Sequence, residues 1–224
     1  MPWNTDPGLF LGEVEPEGRP LWSIEAPVPD GETWVPLRQL LGELGDDQLK
    51  AAVRAIELAS WRNQHRFCGV CGTPTRQRET EFAFECPRCD TEFWPRVTPA
   101  VIMLIHRGDE VLLARHARSP GPVYSCVAGF VEAGETLEEA VVREIDEEVG
   151  VRVGKPFYLG SQAWPFPHAL MAAFLVPWAS GDPVPDGHEI LDARWFRRET
   201  LPQLPPGISI ARRLIREFFQ DPEI

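Results

Sequence analysis

The chain has 224 residues, 43% of them hydrophobic, with a formal net charge of −12, which fits one large or two modest globular domains. The acidic charge argues against a general nucleic-acid or membrane-surface binder, because both classes need basic patches. No apolar run approaches the roughly 18–20 residues that cross a bilayer, and the first residues lack the features of a signal peptide, so we expect a cytoplasmic protein with no membrane partner.

The N-terminal part of the chain is predicted to form a small α+β domain over residues 1–64. Residues 1–40 are rich in Pro, Gly and Trp and show no helical period, which indicates short strands and loops. Apolar residues recur at helical spacing between residues 49 and 59. We therefore predict a helix over residues 46–61, leading into a cysteine-rich segment.

That segment, residues 65–95, is typical of a zinc ribbon. Its two Cys-x-x-Cys pairs are Cys68, Cys71, Cys86 and Cys89. In a cytosolic chain this spacing indicates metal rather than disulfides. Gly69 and Gly72 permit the tight turns that the pairs need, and residues 76–85 alternate as a β-hairpin would. Four thiolates close the coordination sphere, so we expect a structural Zn²⁺; Cys126 is interpreted as a buried small hydrophobe.

Strands and helices alternate in the rest of the chain. The predicted strands are residues 100–105, 111–114, 124–128 and 174–178, and the predicted helices are residues 137–149 and 208–219. Gly150 follows the first of these helices and is expected to end it.

The helix at residues 137–149 carries three glutamates on one face. Glu144, Glu147 and Glu148 lie at i, i+3 and i+4, where like charges oppose helix formation by roughly 0.2–0.5 kcal/mol per pair. A divalent cation would turn this repulsion into attraction, and Glu135 in the preceding turn could reach the same ions. The three glutamates alone would equally suit a solvated acidic face.

The longer string of residues resembles the Nudix box, Gly-x5-Glu-x7-Arg-Glu-U-x-Glu-Glu-x-Gly-U, where U is a bulky apolar residue. The matching residues are Gly129, Glu135, Arg143, Glu144, Ile145, Glu147, Glu148, Gly150 and Val151. The resemblance implies an α/β/α sandwich with a mixed sheet, and hydrolysis of a nucleoside diphosphate linked to another moiety. It also implies that Glu144, Glu147 and Glu148 hold Mg²⁺ or Mn²⁺ and that Arg143 orients them. A box glutamate, with Glu147 as the first choice, would assist proton removal; the identity of the base stays open.

A loop downstream of the box carries two aromatic residues stiffened by prolines. By itself it fits either a ring-binding surface or a rigid packed loop. It resembles the NADH pyrophosphatase signature Ser-Gln-Pro-Trp-Pro-Phe-Pro-x-Ser, matched by Ser161, Gln162, Trp164, Pro165, Phe166 and Pro167. Ala163 replaces a Pro and Ala169 replaces the final Ser, which leaves the substrate preference open.

Other features resemble the same subfamily: a zinc ribbon before the box, an aromatic-Pro-Arg segment at residues 94–96, and a tail at residues 205–215. Glu189 resembles an additional metal ligand of the family, although a surface glutamate is the alternative. The resemblance implies cleavage of NADH or NAD⁺ to the nicotinamide mononucleotide and AMP by homodimers with shared active sites, and also removal of NAD caps from RNA. The substrate-binding residues it implies are Trp94, Phe130, Ser161, Gln162, Trp164, Phe166 and Ala211.

We therefore predict an α+β protein with three parts: an N-terminal domain at residues 1–64, a zinc ribbon at residues 65–95 and a Nudix catalytic domain at residues 96–224. Two other functions stay open at this point. One is a Nudix diphosphatase acting on ADP-ribose or another nucleoside diphosphate derivative, and the other is a non-catalytic nucleotide sensor. The preferred metal, the preferred form of the nicotinamide and the role of residues 1–60 are not predicted.

Overall fold

The structure is a computed structural model. It describes the backbone of three strands within the first 24 residues, then Gly31, residues 35–119 and residues 121–224. The other residues, which include part of the predicted N-terminal strands and loops, lie outside the described residues. The described residues contain no helix that is both long enough and apolar enough to span a membrane.

Two compact units are formed, and the first comprises residues 1–97 together with residues 165–168. Its elements are β1 (Asn4–Thr5), β2 (Gly8–Val14), β3 (Arg19–Ile24), α1 (Leu37–Leu40), α2 (Asp46–Gln64), β4 (Arg76–Gln77), β5 (Phe84–Glu85) and β6 (Glu92–Phe93). Strands β1, β2 and β3 form an antiparallel sheet in that order. The predicted helix is present and runs three residues beyond its predicted end at residue 61.

Helix α2 and the ribbon share one hydrophobic cluster. Leu58 and Trp61 of α2 are buried against Phe84 of β5, and the ring centroids of Trp61 and Phe84 lie 4.8 Å apart. The predicted hairpin is present, since Arg76 pairs with Glu85 across β4 and β5, and β6 adds a third strand. The boundary between an N-terminal domain and the ribbon stays a prediction, because this cluster joins the two segments.

The second unit comprises residues 98–164 and 169–224. Its elements are β7 (Thr98–Arg107), β8 (Glu110–His116), β9 (Val127–Phe130), α3 (Leu137–Val149), β10 (Arg152–Val153), β11 (Phe157–Trp164), β12 (Ala169–Ser180), β13 (Ile190–Phe196), a short 3-10 turn (Arg198–Thr200) and α4 (Ile210–Phe219). The sheet has the order β10-β12-β7-β8-β13, with β11 also paired to β12 and β9 to β7. Only the β7–β12 pair is parallel among these pairs, so the sheet is mixed, as predicted.

The sheet has a hydrophobic core on each face because side chains alternate along its strands. Val101, Met103 and Ile105 of β7 pack in the core that contains α3. Ile102 and Leu104, between them, pack in the core that contains α4. Helices therefore cover both faces of a mixed sheet, which is the sandwich that the box implied.

Candidate active site

Capping residues in the sequence determine where helix α3 begins and ends. The Thr136 hydroxyl accepts a hydrogen bond from the Glu139 amide at 3.2 Å, and the Glu139 carboxylate accepts one from the Thr136 amide at 2.8 Å. This capping box satisfies two amides that a helix start leaves unpaired. Gly150 ends the helix with φ 67°, in the left-handed region that glycine adopts without steric cost. The glutamates of the box are thus held on a helix of defined length and register.

Arg143 is the centre of the charged network on this helix. Its guanidinium donates two hydrogen bonds to Glu135, at 2.8 and 2.9 Å. It also donates to Glu144 at 2.9 Å, to Glu147 at 3.0 Å and to the Phe130 carbonyl at 2.9 Å. Hydrogen bonds from Arg143, and one from the backbone of residue 132, lower the pKa of Glu135 to about 2. The Arg143 guanidinium therefore orients three carboxylates and connects α3 to the end of β9.

Gly129 lies directly beneath the carboxyl group of Glu144. A Cβ atom at Gly129 would overlap the carboxyl carbon and both oxygens of Glu144. A side chain at residue 129 would therefore displace the Glu144 carboxylate, and this close approach explains the glycine of the box. Burial raises the pKa of Glu144, against the opposing effect of Arg143.

Glu148 is the most buried of the box carboxylates, with 5% of its surface exposed. Its Oε2 atom has no hydrogen-bond partner within the part of the chain that the structure describes. Burial raises the pKa of Glu148 to about 8, and the negative charges of Glu144, Glu189 and Asp186 contribute. A buried carboxylate oxygen without a partner is costly, and a divalent cation is a ligand that would satisfy it. This donor set fits the Mg²⁺ or Mn²⁺ that the sequence predicts.

The carboxylates do not converge as closely as the cysteines do. Among the described residues, the one group of three or more possible ligands whose atoms lie within 4.8 Å of one another is the cysteine cluster. Glu144 and Glu147 both contact Arg143 instead. The structure brings Glu189 close enough to Glu148 to affect its pKa. Asp186 has the same effect and was not identified from the sequence, where a lone aspartate in a connection gives no signal.

The cysteine cluster forms two similar turns. The Cys68 amide donates to the Thr73 carbonyl at 2.8 Å, and the Cys86 amide donates to the Thr91 carbonyl at 2.9 Å. Sulfur-to-sulfur distances between the two pairs include 3.5 Å for Cys71 to Cys86. All four thiols are free of disulfides, and hydrogen bonding with Thr73 lowers the pKa of Cys71 to about 6. Four cysteine sulfurs within 4.8 Å of one another are a ligand set of the kind that holds structural zinc.

The turns differ from the sequence prediction in one detail. Gly72 has φ 72°, and Asp90, at the corresponding position after the second pair, has φ 55°. Gly69, which was also predicted to permit the tight turns, does not have a positive φ. Aspartate at the second turn is physically reasonable, because Asp tolerates the left-handed region better than most residues do.

Ser161 and Gln162 lie on opposite faces of the sheet. Ser161 lines a cavity of about 400 Å³ with Leu137 and Glu138 of α3. The side-chain amide of Gln162 donates through Nε2 to the backbone carbonyl of residue 208 at 2.8 Å. Its Oε1 atom accepts from the backbone amide of Ile210 at 2.8 Å. Gln162 therefore holds the start of α4. Both residues were predicted to bind substrate, but their side chains lie on opposite faces because they are adjacent in a strand.

The remaining predicted substrate-binding residues have varied surroundings. Trp94 in the first unit and Phe130 in the second are exposed, at 49% and 47%. Phe166 belongs to the first unit, where the Arg38 guanidinium lies 4.1 Å from the centre of its ring. Trp164 is the last residue of β11 and is half-buried. Ala211 belongs to α4 and is buried against the sheet, and its carbonyl accepts a weak hydrogen bond from the Cys126 thiol at 3.8 Å.

Two family models match the chain, one for each of its characteristic segments. Residues 96–218 match the NUDIX domain, and residues 63–93 match the NADH pyrophosphatase zinc ribbon domain. These ranges cover the carboxylate helix and the cysteine cluster respectively. The match confirms both sequence predictions and identifies the cluster as a zinc ribbon.

Several curated relatives share most of the chain. The "NAD-capped RNA hydrolase NudC" of Stutzerimonas stutzeri is 46% identical over 202 residues, which are 89% of this chain and 73% of the relative. The protein of the same name from Yersinia pseudotuberculosis is 44% identical, over 96% of this chain and 82% of the relative. A crystal structure of a NUDIX hydrolase from Nitrosomonas europaea matches with TM-score 0.56 and 27% identity, covering 69% of this chain and 88% of that one.

Proposed function

The chain belongs to the Nudix hydrolase family, and from this premise we propose that it hydrolyses the diphosphate bond of NADH and NAD⁺. The products are the reduced or oxidised nicotinamide mononucleotide and AMP. The relatives named NAD-capped RNA hydrolases support a second substrate of the same chemistry, RNA that carries NAD at its 5′ end. Both substrates contain the same diphosphate, so one site serves both.

The observation that carries this proposal is the buried oxygen of Glu148. It lies without a hydrogen-bond partner among the described residues, on the helix where Arg143 orients Glu144 and Glu147. We propose that Glu144, Glu147, Glu148 and Glu189 hold Mg²⁺ or Mn²⁺. Such a cation, when bound, neutralises phosphate charge and lowers the pKa of a coordinated water.

The chain's own residues supply orientation and proton transfer. Arg143 donates to the carboxylates of Glu144 and Glu147 from the same Nη1 atom, so it holds the two side chains next to each other. The side chain of Glu147 is 61% exposed, more than that of Glu144 at 12%. Glu147 is therefore the box glutamate best placed to exchange a proton with solvent, and we assign it the role of general base.

Exposed aromatic rings support recognition of a flat substrate ring. Trp94 and Phe130 present apolar faces to solvent, and stacking on a nicotinamide or adenine ring would cover them. We propose these two as stacking residues, with Ser161, Trp164 and Phe166 as further substrate contacts. Gln162 and Ala211 would act through the shape of the α4 segment.

We also propose that the chain forms a homodimer and is located in the cytoplasm. A homodimer with shared active sites is supported by the resemblance to NADH pyrophosphatases in the zinc ribbon and the signature loop. A cytoplasmic location is supported by the four free thiols of the ribbon, which need a reducing compartment to remain available for zinc.

The test is incubation of the purified protein with NADH and either Mg²⁺ or Mn²⁺, with EDTA as the control and chromatographic identification of products. We expect reduced nicotinamide mononucleotide and AMP. Glu147→Gln should lower turnover at least about 100-fold, the low end for loss of a general base. Asp146→Asn, which changes an exposed carboxylate of the same helix, is the matched control and should be near normal.

A second candidate substrate is ADP-ribose, favoured by two departures from the NADH pyrophosphatase signature, Ala163 and Ala169. Side-by-side turnover on NADH, NAD⁺ and ADP-ribose separates the two candidates. Cleavage of ADP-ribose alone would overturn the NADH assignment and leave the diphosphatase chemistry in place. Failure to cleave any of them with either cation would overturn both.

A further inference from the structure

The connection between β12 and β13 is attached to the end of the carboxylate helix. The Val184 amide donates to the Val149 carbonyl at 2.9 Å, and the Asp186 amide donates to the Glu148 carbonyl at 3.2 Å. These carbonyls belong to the last turn of α3, where helical partners run out. The backbone of the connection is therefore fixed relative to the helix that carries the box glutamates.

The side chain of Asp186 then organises the three residues that precede and begin β13. Its Oδ1 atom accepts from the amide of His188 at 3.1 Å and from that of Ile190 at 2.8 Å. Both of its oxygens accept from the amide of Glu189 at 3.1 Å. Charge-assisted hydrogen bonds of this kind are stronger than neutral ones. One carboxylate thus fixes the backbone of three consecutive residues.

Glu189 is the central residue of the three. Its carbonyl accepts from the Ala117 amide at 2.8 Å, so its backbone is held from both sides. Because the backbone is fixed, the Cα–Cβ bond of Glu189 has one position and one direction. Both oxygens of Asp186 are already engaged by amides, so Asp186 is suited to positioning rather than to binding a cation itself.

We propose that Asp186 is a positioning residue that fixes the backbone at Glu189 and thereby directs the Glu189 carboxylate to the divalent cation beside Glu148. The inference rests on the proposed function, because it assumes that Glu189 is a ligand. Residues that orient metal ligands commonly change metal affinity by about 10–100-fold when they are removed.

The test measures Mn²⁺ binding to the purified full chain without substrate, by electron paramagnetic resonance of the free ion. Asp186→Ala should weaken Mn²⁺ binding by about tenfold or more. In Asp186→Asn, Oδ1 can still accept hydrogen bonds from the amides of residues 188 and 190, so its affinity should fall between those of the wild type and Asp186→Ala. Asp182→Ala removes the same charge from the same connection and should bind within about twofold of the wild type, as expected for a surface change away from special contacts.

A double-mutant cycle with Glu189→Ala tests whether Asp186 affects Mn²⁺ affinity through Glu189. If Asp186 acts through Glu189, the double variant binds Mn²⁺ no more weakly than Glu189→Ala alone. Additive losses would overturn the proposal, and so would wild-type affinity in Asp186→Ala. Thermal unfolding without added Mn²⁺ identifies any variant that fails to fold, and Asp186→Asn then replaces Asp186→Ala in the cycle.

Failure of this inference is distinguishable from failure of the proposed function. A wild-type protein that cleaves NADH while Asp186→Ala binds Mn²⁺ normally overturns the positioning role alone. A protein that shows the expected Mn²⁺ pattern but leaves NADH, NAD⁺ and ADP-ribose intact overturns the proposed activity and keeps the positioning role.

Discussion

The carboxyl group of Glu144 occupies the space that a Cβ atom at Gly129 would fill. Gly129 belongs to β9 and Glu144 to α3, so this approach is a contact between the strand and the helix. Arg143 strengthens the same junction by donating to the carbonyl of Phe130, the residue after Gly129. The position of a proposed metal ligand therefore depends on the absence of one methyl group.

Gly129→Ala tests this relationship. The added methyl should displace the Glu144 carboxylate from Arg143, and we expect Mn²⁺ affinity and turnover to fall about tenfold or more. The free energy of unfolding should fall by only about 1 kcal/mol or less, because the added methyl meets only the end of one flexible side chain. Gly207→Ala is the matched control, because no heavy atom lies within 4 Å of a Cβ there. Calorimetric Mn²⁺ binding and urea unfolding give both quantities; unchanged Mn²⁺ affinity in Gly129→Ala would contradict the prediction.

Arg143→Lys should change how stability depends on pH. Arg143 depresses the folded-state pKa of Glu135 to about 2, so the contribution of Glu135 to stability is present above its unfolded pKa of 4.5 and is lost as the pH falls toward 2. Lysine cannot reproduce the paired hydrogen bonds, so the folded pKa of Glu135 should rise toward 4.5. Urea unfolding from pH 7 to pH 3 should show the difference between wild type and variant shrinking with falling pH.

The control for that experiment is Arg152→Lys, which changes an exposed ion pair with Asp146 on the same helix. Exposed pairs contribute little to stability, so the variant should follow the wild type at every pH. A stability difference between the wild type and Arg143→Lys that stays constant from pH 7 to pH 3 would show that Arg143 does not act through Glu135.

The sequence predicted the parts of this site that follow from local rules. The bounds of α3 were predicted correctly because a run of apolar residues at helical spacing ends at Gly150. Strands β7 and β8 were predicted because their residues are continuously apolar, as expected for strands buried on both faces. The nine positions of the Nudix box have fixed spacing and were identified directly from the sequence.

Other parts depend on tertiary contacts and could not be predicted in this way. Residues 160–164 of β11 were interpreted as part of a loop, because prolines follow closely in the sequence. Its pairing with β12 places Ser161 and Gln162 on opposite faces. Asp186 gave no signal, because its three partners are backbone amides whose position depends on the fold.

Binding of the cation should release a proton from Glu148. Burial raises the folded-state pKa of Glu148 to about 8, so below pH 8 the metal-free protein holds a proton that the cation must displace. Mn²⁺ affinity should therefore rise as the pH increases from 6 to 8, by up to about tenfold per pH unit. Calorimetry at pH 6.5 in two buffers of different ionisation enthalpy counts the released protons.

The same pKa shift has a consequence for the stability of the metal-free protein. Because the folded pKa is raised, the contribution of Glu148 favours the folded state at low pH and is lost as the pH rises through about 8. Glu148→Gln should remove both this dependence and the proton release, whereas Asp146→Asn, at an exposed position of the same helix, should retain both. Proton release that persists in Glu148→Gln would assign it to another group.

Loss of the zinc ribbon should destabilise α2 as well as the ribbon. Four free thiols lie within 4.8 Å of one another, and structural zinc contributes about 10–16 kcal/mol to the folding of isolated zinc-finger peptides. Because Trp61 of α2 packs on Phe84 of the ribbon, Cys71→Ser should lose zinc, lower the melting temperature and expose α2 to proteolysis. Cys126→Ala, which removes the buried thiol outside the cluster, should keep one zinc per chain. Elemental analysis and limited proteolysis check both variants, and a protease-resistant Cys71→Ser protein without zinc would show that the hydrophobic cluster alone maintains this unit.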